Sequence, residues 1–597
     1  MSLFGRPSRA RRLTKQRRAW LELVTPEETA ERATLALRTR ETDDPWVDLV
    51  HHEPLVTADL ELLRHALRFA FESGDAGGLL GRAVDDAPAA PSGWKPESFA
   101  GGLFLRELVG SCFTIEIDGE AYVPSQAHLE RVLATPPKDL RDVGLRQATL
   151  RELVSRPELR SAVERIYVVL RQLRSLLDER PMSPGETVRR KIEVLGCIKT
   201  FLDVADEGLA GAASVLSRLH EHARSVRAQG SYERLTQLLD FDAHLATVEV
   251  RLVLGSDGRI RDFRMLSARE NDANPLVTSA WSRFWSRVVA FFRGYQFGES
   301  EVVLRVIDGV FADLEDAVLP CFGLIGDLEL YLAALGLKDR VENEGLSVCL
   351  PELSPMPELT GEAGPFSLKA LFNPLLLLQG IRPTPCDIET RGHDSMVLVT
   401  GPNSGGKTRL LQAIALSQLL AHAGLFVPAR EARLTAAPTL FVSLVEGAPA
   451  DQREGRLGTE LLRVRDLFEQ IEPGTMVILD ELCSGTNPSE GIAIFEMVIS
   501  LLPRLRPQVF VTTHFLDAAR ELERGRTIER LTFLQVELDR EDKPTYQFVP
   551  GVAPTSLAHQ VAARLGVTRE QLERMVDRHE KRLRAPEEAA AQDPHEG

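Results

Sequence analysis

The residues best suited to chemistry lie in one octet, Gly401-Pro402-Asn403-Ser404-Gly405-Gly406-Lys407-Thr408, which fits the phosphate-loop pattern G-x-x-x-x-G-K-[ST]. The glycines let successive backbone amides turn inward toward phosphate oxygens. Lys407 reaches the terminal phosphates, the Thr408 hydroxyl can hold Mg²⁺, and the helix that starts near Lys407 adds its positive end. Arg409 follows directly and is counted with Gly401 to Thr408 in the nucleotide-binding set. Downstream, the apolar run Met476-Val477-Ile478-Leu479 ends in Asp480-Glu481. A carboxylate pair at a strand's end is the second half of such a site: Asp480 for Mg²⁺ and Glu481 to polarise the attacking water. A further apolar run, Val509 to Thr513, ends at His514, read as a sensor of the γ-phosphate, and Asn403 is an added polar contact. The chemistry expected is ATP hydrolysis, with ATP and Mg²⁺ as cofactors and Lys407, Glu481 and His514 as the catalytic set.

Such groups must be held by a parallel sheet, because phosphate sites form at the carboxyl ends of parallel strands. Met396 to Val399 is a short apolar run that can be covered on both faces. After the loop, Leu410, Leu411, Ile414, Leu419 and Leu420 recur at helical spacing, with Gly424 as the stop. From the proline-rich stretch 351–357 to about residue 584, strands and helices alternate, which predicts a parallel sheet with crossover helices. Residues 137–350 read as mainly helical. Capping boxes are expected at Ser155-Arg156-Pro157-Glu158 and at Ser183-Pro184-Gly185-Glu186, and a β-hairpin is expected near 248–266 around Ser256-Asp257-Gly258. Helical patterns then resume through Trp281, Trp285, Val289 and Phe292. Residues 46–136 are mixed, with a helix through Leu60, Leu63, Leu67 and Phe71 and a hairpin around Asp118-Gly119, and carry no assignable job. Residues 1–45 form a basic leader, expected to be flexible, and 585–597 an acidic, disordered tail. The fold class is therefore mixed: an α/β P-loop ATPase domain preceded by a mainly α-helical domain and a small N-terminal region.

Composition narrows the partners. The 597 residues carry a net charge of −16, which lends no support to a nucleic-acid face. The six cysteines are scattered without a Cys-x-x-Cys pair. That argues against zinc and against a disulfide framework, and for a reducing, cytoplasmic location. No apolar run approaches the ~20 residues of a membrane span.

With these residues in hand the chain resembles the MutS family of DNA mismatch-repair ATPases, within the ABC-type class. GPNSGGKT is close to the family's GPN-x-GGK-[ST]. The run LDELCSGTNPSEG resembles its Walker B strand and following loop, nearer to the branch associated with recombination intermediates. TTHF resembles its histidine segment. Phe372-Asn373-Pro374-Leu375 and Cys386-Asp387-Ile388 look like the approach strands before the P-loop, and Tyr546 to Val567 looks like the closing segment. The resemblance covers about 351–584 and fits the helical region more loosely, as core and lever.

Two departures stand out. The family's trans-acting signature carries Ser-Thr, whereas this chain has Gly455-Arg456-Leu457-Gly458-Thr459-Glu460. Glu460 fits, the serine is missing, and either Thr459 or another group substitutes or composite-site hydrolysis is weakened. The mismatch-reading Phe-x-Glu is missing from the N-terminal part, and Phe297-Gly298-Glu299 sits in the helical core, where the same letters are coincidence. The middle is also short for full lever arms with a DNA clamp, and no nuclease-like C-terminal domain is expected after 584. The resemblance implies a homodimer through the ATPase domains that binds mismatched, branched or otherwise structured DNA in repair or recombination and switches conformation with ATP. The alternative expectation is an ATP-gated protein-interaction module that has lost DNA binding.

Overall fold

The computed structural model describes residues 38–41, 44–75, 78–85, 91–244, 247–254, 260–269, 299–358, 363–444, 455–483, 487–555 and 567–579. The chain divides into two compact units, Met1–Pro96 with Phe104–Leu350 and Leu419–Val427, and Glu97–Leu103 with Pro351–Gln418 and Pro428–Gly597.

The first unit is built from long helices, among them Leu140–Ser155, Pro157–Asp178, Pro184–Gly208, Glu299–Val318 and Pro320–Asn343. Helix Pro157–Asp178 buries Val163, Ile166, Leu170, Leu173 and Leu177, the stripe that its 3.6-residue period predicts. Ser183 caps the next helix in a reciprocal box with Glu186, and loss of that hydroxyl would cost about 1 kcal/mol. The box expected at Ser155 does not form. Ser155 is the last residue of the preceding helix, and Arg156 takes the cap position without a side-chain bond. The single-residue joint leaves Ser155 no room to leave the helical conformation, as a cap must.

Helix Pro320–Asn343 is long and apolar enough to cross a membrane by length and composition alone, although Asp327 and Glu329 interrupt its apolar run. Its most apolar window is 72% buried inside the protein, which fits a core helix. The helix at Leu60–Ser73 and the hairpins Ile115–Ile117 with Glu120–Tyr122 and Thr247–Leu254 with Ile260–Arg269 lie where the spacing predicts. Residues 1–37, Trp281, Trp285, Val289, Phe292, Phe297, Gly298 and the tail from 585 lie outside the described residues, and Glu299 begins helix Glu299–Val318.

The second unit holds a six-stranded sheet in the order Leu440–Ser443, Met476–Leu479, Gln508–Thr512, Met396–Thr400, Leu531–Leu538, Pro544–Pro550. Every neighbouring pair is parallel except the last, which is antiparallel. The three strands Met396–Thr400, Met476–Leu479 and Gln508–Thr512 are buried along their whole lengths. Strands covered on both faces need continuous apolar runs rather than alternation, which is what these residues supply. On one face Leu398, Leu479 and Val511 pack with Phe495, Val498, Phe515 and Ala519 from helices Pro488–Leu501 and Leu516–Gly525 and the turn before the latter.

A second sheet, Glu352–Ser354, Glu431–Thr435, Ser367–Leu371, Cys386–Glu389, has one parallel and two antiparallel pairings. This corrects the single parallel sheet expected across 351–584. It also moves Phe372-Asn373-Pro374-Leu375 out of a strand. The strand ends at Leu371, and a short helix, Leu375–Leu378, begins after Pro374, whose missing amide hydrogen cannot join a ladder.

Candidate functional site

Strand register decides which side chains meet. In the six-stranded sheet Val399 pairs with Thr512, and Leu479 pairs with Val511. The P-loop, Asp480 and the Thr512–Thr513 pair thus leave the sheet at the same carboxyl edge.

The loop bends at Gly401, φ +139°, and Gly406, φ +83°, angles that residues with a β-carbon rarely adopt. A β-carbon on Gly401 would also lie 2.7 Å from a Val536 methyl. Lys407 is buried, and its Nζ donates to the Gly401 and Pro402 carbonyls at 3.0 and 3.1 Å. Burial lowers its pKa, and the charges of Glu481 and Asp480 oppose that shift. Asn403 and Ser404 are exposed on the loop. Thr408 Oγ1 donates to Asp480 Oδ2 at 2.7 Å, and Thr512 Oγ1 donates to Asp480 Oδ1 at 2.6 Å. The Glu481 amide donates to the same Thr512 oxygen at 2.8 Å. Glu481 itself sits at φ +47°, a left-handed backbone uncommon outside glycine.

Of the other residues singled out in the sequence, Arg409 donates to Gln412 Oε1 at 3.0 Å, and Asn373 Nδ2 bonds both that oxygen and the Arg409 carbonyl at 3.0 Å. His514 lies beyond the end of the strand, exposed, with its ring centroid 4.2 Å from that of Phe515. Gly458 and Glu460 lie on helix Gly455–Gln470, and Ser484-Gly485-Thr486 falls outside the described residues. A cavity of about 470 Å³ opens beside the loop, lined by Asn403, Lys407, Thr408 and Arg409 together with Phe372, Arg382, Tyr546 and Phe548. That volume suits a small-molecule ligand with one polar and one aromatic side. Asn373, Thr512 and Tyr546 were missed as site residues. Only strand pairing between segments far apart in sequence brings them to the loop.

The donor set fits a hard divalent cation. The Asp480 carboxylate and the Thr408 hydroxyl are oxygen ligands of the kind Mg²⁺ takes. Among the described residues the hydrogen-bond partners of the Asp480 carboxylate are two neutral hydroxyls, so its charge is available. The loop's inward amides and Lys407 fit a phosphate chain.

Residues 397–583 match the family described as MutS domain V. Over 312 residues, 49% of this chain, the protein is 30% identical to "Endonuclease MutS2" of Thermomicrobium roseum, covering 38% of that protein. The MutS2 of Carboxydothermus hydrogenoformans is 31% identical over 256 residues, 42% of this chain and 30% of its own. The MutS2 of Thermus thermophilus is 30% identical over 277 residues, 46% of this chain and 35% of its own. The matched region therefore spans 30 to 38% of these relatives' length.

Proposed function

We propose that this chain, which belongs to the MutS family through its domain V, is an Mg²⁺-dependent ATPase that acts on structured DNA as a dimer. The observation that carries the ATPase reading is the Thr408–Asp480 bond at 2.7 Å, which joins the end of the phosphate loop to the carboxylate strand. In this reading Gly401 to Thr408 and Arg409 cradle the nucleotide, and the cavity lined by Tyr546 and Phe548 receives its base. Thr408 and Asp480 would hold Mg²⁺, which would supply charge neutralisation on the phosphates. Lys407 exchanges its two loop carbonyls for phosphate oxygens, Glu481 orients the attacking water, and His514 approaches the γ-phosphate when the site closes. Two copies facing each other through this domain would enclose the nucleotide, and closure would be transmitted as a change in arm geometry.

Repair or recombination of branched or otherwise structured DNA is the setting proposed, from the kinship with MutS2 proteins and the missing Phe-x-Glu. A second reading, an ATP-gated protein-interaction module, is favoured by the net charge of −16 and by the helices' arginines. Arg64, Arg68, Arg156, Arg160, Arg227 and Arg234 are each engaged by carboxylates, which lowers their capacity to hold DNA phosphates. The test is a titration of the purified chain with homoduplex, mismatched, four-way-junction and single-stranded DNA at fixed physiological salt, with and without ATP, measuring hydrolysis in parallel. Nucleotide-dependent preference for one structure supports the DNA reading. Hydrolysis with no DNA binding or stimulation supports the interaction module.

A further inference from the structure

We propose that Thr512 is a positioning residue for the ATPase site, its hydroxyl fixing Asp480 and the Glu481 backbone together. The inference rests on the ATPase reading above and deepens it. In the sequence Thr512 ends an apolar strand and opens the Thr512-Thr513-His514-Phe515 segment, in which only His514 is read as a site residue. The register sets it between the ends of the two strands that carry the site, paired with Val399 and one residue beyond the Val511–Leu479 pair.

The donor and acceptor roles at this hydroxyl are fixed. A threonine hydroxyl has a single proton to donate, an ionised carboxylate only accepts, and a backbone amide only donates. With Asp480 Oδ1 at 2.6 Å and the Glu481 amide at 2.8 Å, the Thr512 proton must point to Asp480 and its lone pair to Glu481. Thr512 is fully buried, so water does not substitute for either bond.

Two consequences follow for the chain's own residues. Asp480 is gripped by both oxygens from two different elements, Thr408 at the start of the loop helix and Thr512 at the end of a strand. This fixes the plane of the carboxylate offered to a cation. Glu481 is held at φ +47°, a conformation that persists only where surrounding bonds enforce it, and the Thr512 oxygen is the acceptor for its amide. Thr512 touches neither the nucleotide nor the attacking water in this account; it sets the two residues that do.

The experiment compares wild type, Thr512→Val, which keeps the branched shape and removes the hydroxyl, and Thr512→Ser, which keeps the hydroxyl. Binding of a fluorescent ATP analogue is titrated with Mg²⁺, and phosphate release and melting temperature are measured on the same samples. Thr512→Val should lower kcat by about 10- to 100-fold and raise the Mg²⁺ needed for half-maximal nucleotide binding by about tenfold, with affinity in the absence of Mg²⁺ unchanged. Thr512→Ser should stay within about threefold of wild type in both. If Thr512→Val does not fold, Thr512→Ala carries the same expectation. A Thr512→Val protein with the wild-type rate and Mg²⁺ requirement overturns the proposal, as does a Thr512→Ser protein as impaired as Thr512→Val. A loss of melting temperature with no change in the Mg²⁺ requirement also overturns it, since that is the mark of a merely structural threonine. A wild type that binds no nucleotide removes the ATPase reading itself, and this role with it.

Discussion

At the amino end of the six-stranded sheet, Asp394 is held by two cations, Arg506 and Arg530, each placed just before the strand that follows it. At the carboxyl end, Asp480 is held by two hydroxyls, Thr408 and Thr512. Both side chains are almost fully buried: Asp394 is 3% exposed, and Asp480 as a residue 7%. Arg506 and Arg530 both pair with Oδ2 and neutralise the charge of Asp394, while its Oδ1 is buried without a hydrogen-bond partner among the described residues. Hydroxyl donors orient Asp480 without cancelling its charge, and Lys407, the nearby cation, spends its protons on loop carbonyls. A buried carboxylate positioned by neutral donors is poised for a cation that arrives with the substrate. One paired with arginine locks the fold.

The largest effect expected from this contrast is at Lys407. Lys407→Ala should lower ATP affinity by at least about 100-fold, measured by equilibrium binding, while the fold survives because Lys407 bonds only to loop carbonyls. Next comes Glu481→Gln, which should bind ATP near wild-type affinity, lose about 100-fold or more in hydrolysis, and accumulate as an ATP-bound dimer in sedimentation. Wild-type turnover in that variant would remove Glu481 from the water-orienting role.

At the other end of the sheet the pattern should invert. Asp394→Asn should cost about 1–3 kcal/mol of stability, read as a lower denaturation midpoint, and leave nucleotide affinity unchanged. The smallest effect is on pH. Burial would raise the Asp394 pKa, but the hydrogen bonds and charges of Arg506 and Arg530 outweigh it and hold the group below its ordinary 3.8. Its contribution is therefore complete above the unfolded-state value and is lost as pH falls through the lower, folded one. Wild type should lose stability more steeply below about pH 4 than Asp394→Asn. Parallel acid profiles for the two would remove the contrast at this end.

Much of the sheet was legible because a strand buried on both faces leaves an unbroken apolar run, as at Met396–Thr400, Met476–Leu479 and Gln508–Thr512. The phosphate loop was legible for a different reason: its glycines, lysine and threonine are required at fixed spacing. Pairing across the sheet was not, since hydrogen bonds between strands far apart in sequence leave no local trace. Thr512 therefore looked like the end of a strand and Asn373 like part of one. The four-stranded sheet was hidden for the same reason, its members being short and separated by the loop and its helix. Ser155 misled because a capping pattern is local, while the position of the helix joint depends on how closely two helices abut.

The central claim is that Asp480 is oriented for a cation rather than neutralised by one. Its most direct test is the affinity of wild type and Asp480→Asn for an ATP analogue, measured with Mg²⁺ and with excess chelator. The account predicts that Mg²⁺ tightens binding to wild type by about tenfold or more and leaves Asp480→Asn, still folded, with little or no gain. Equal Mg²⁺ dependence in the two proteins would contradict it.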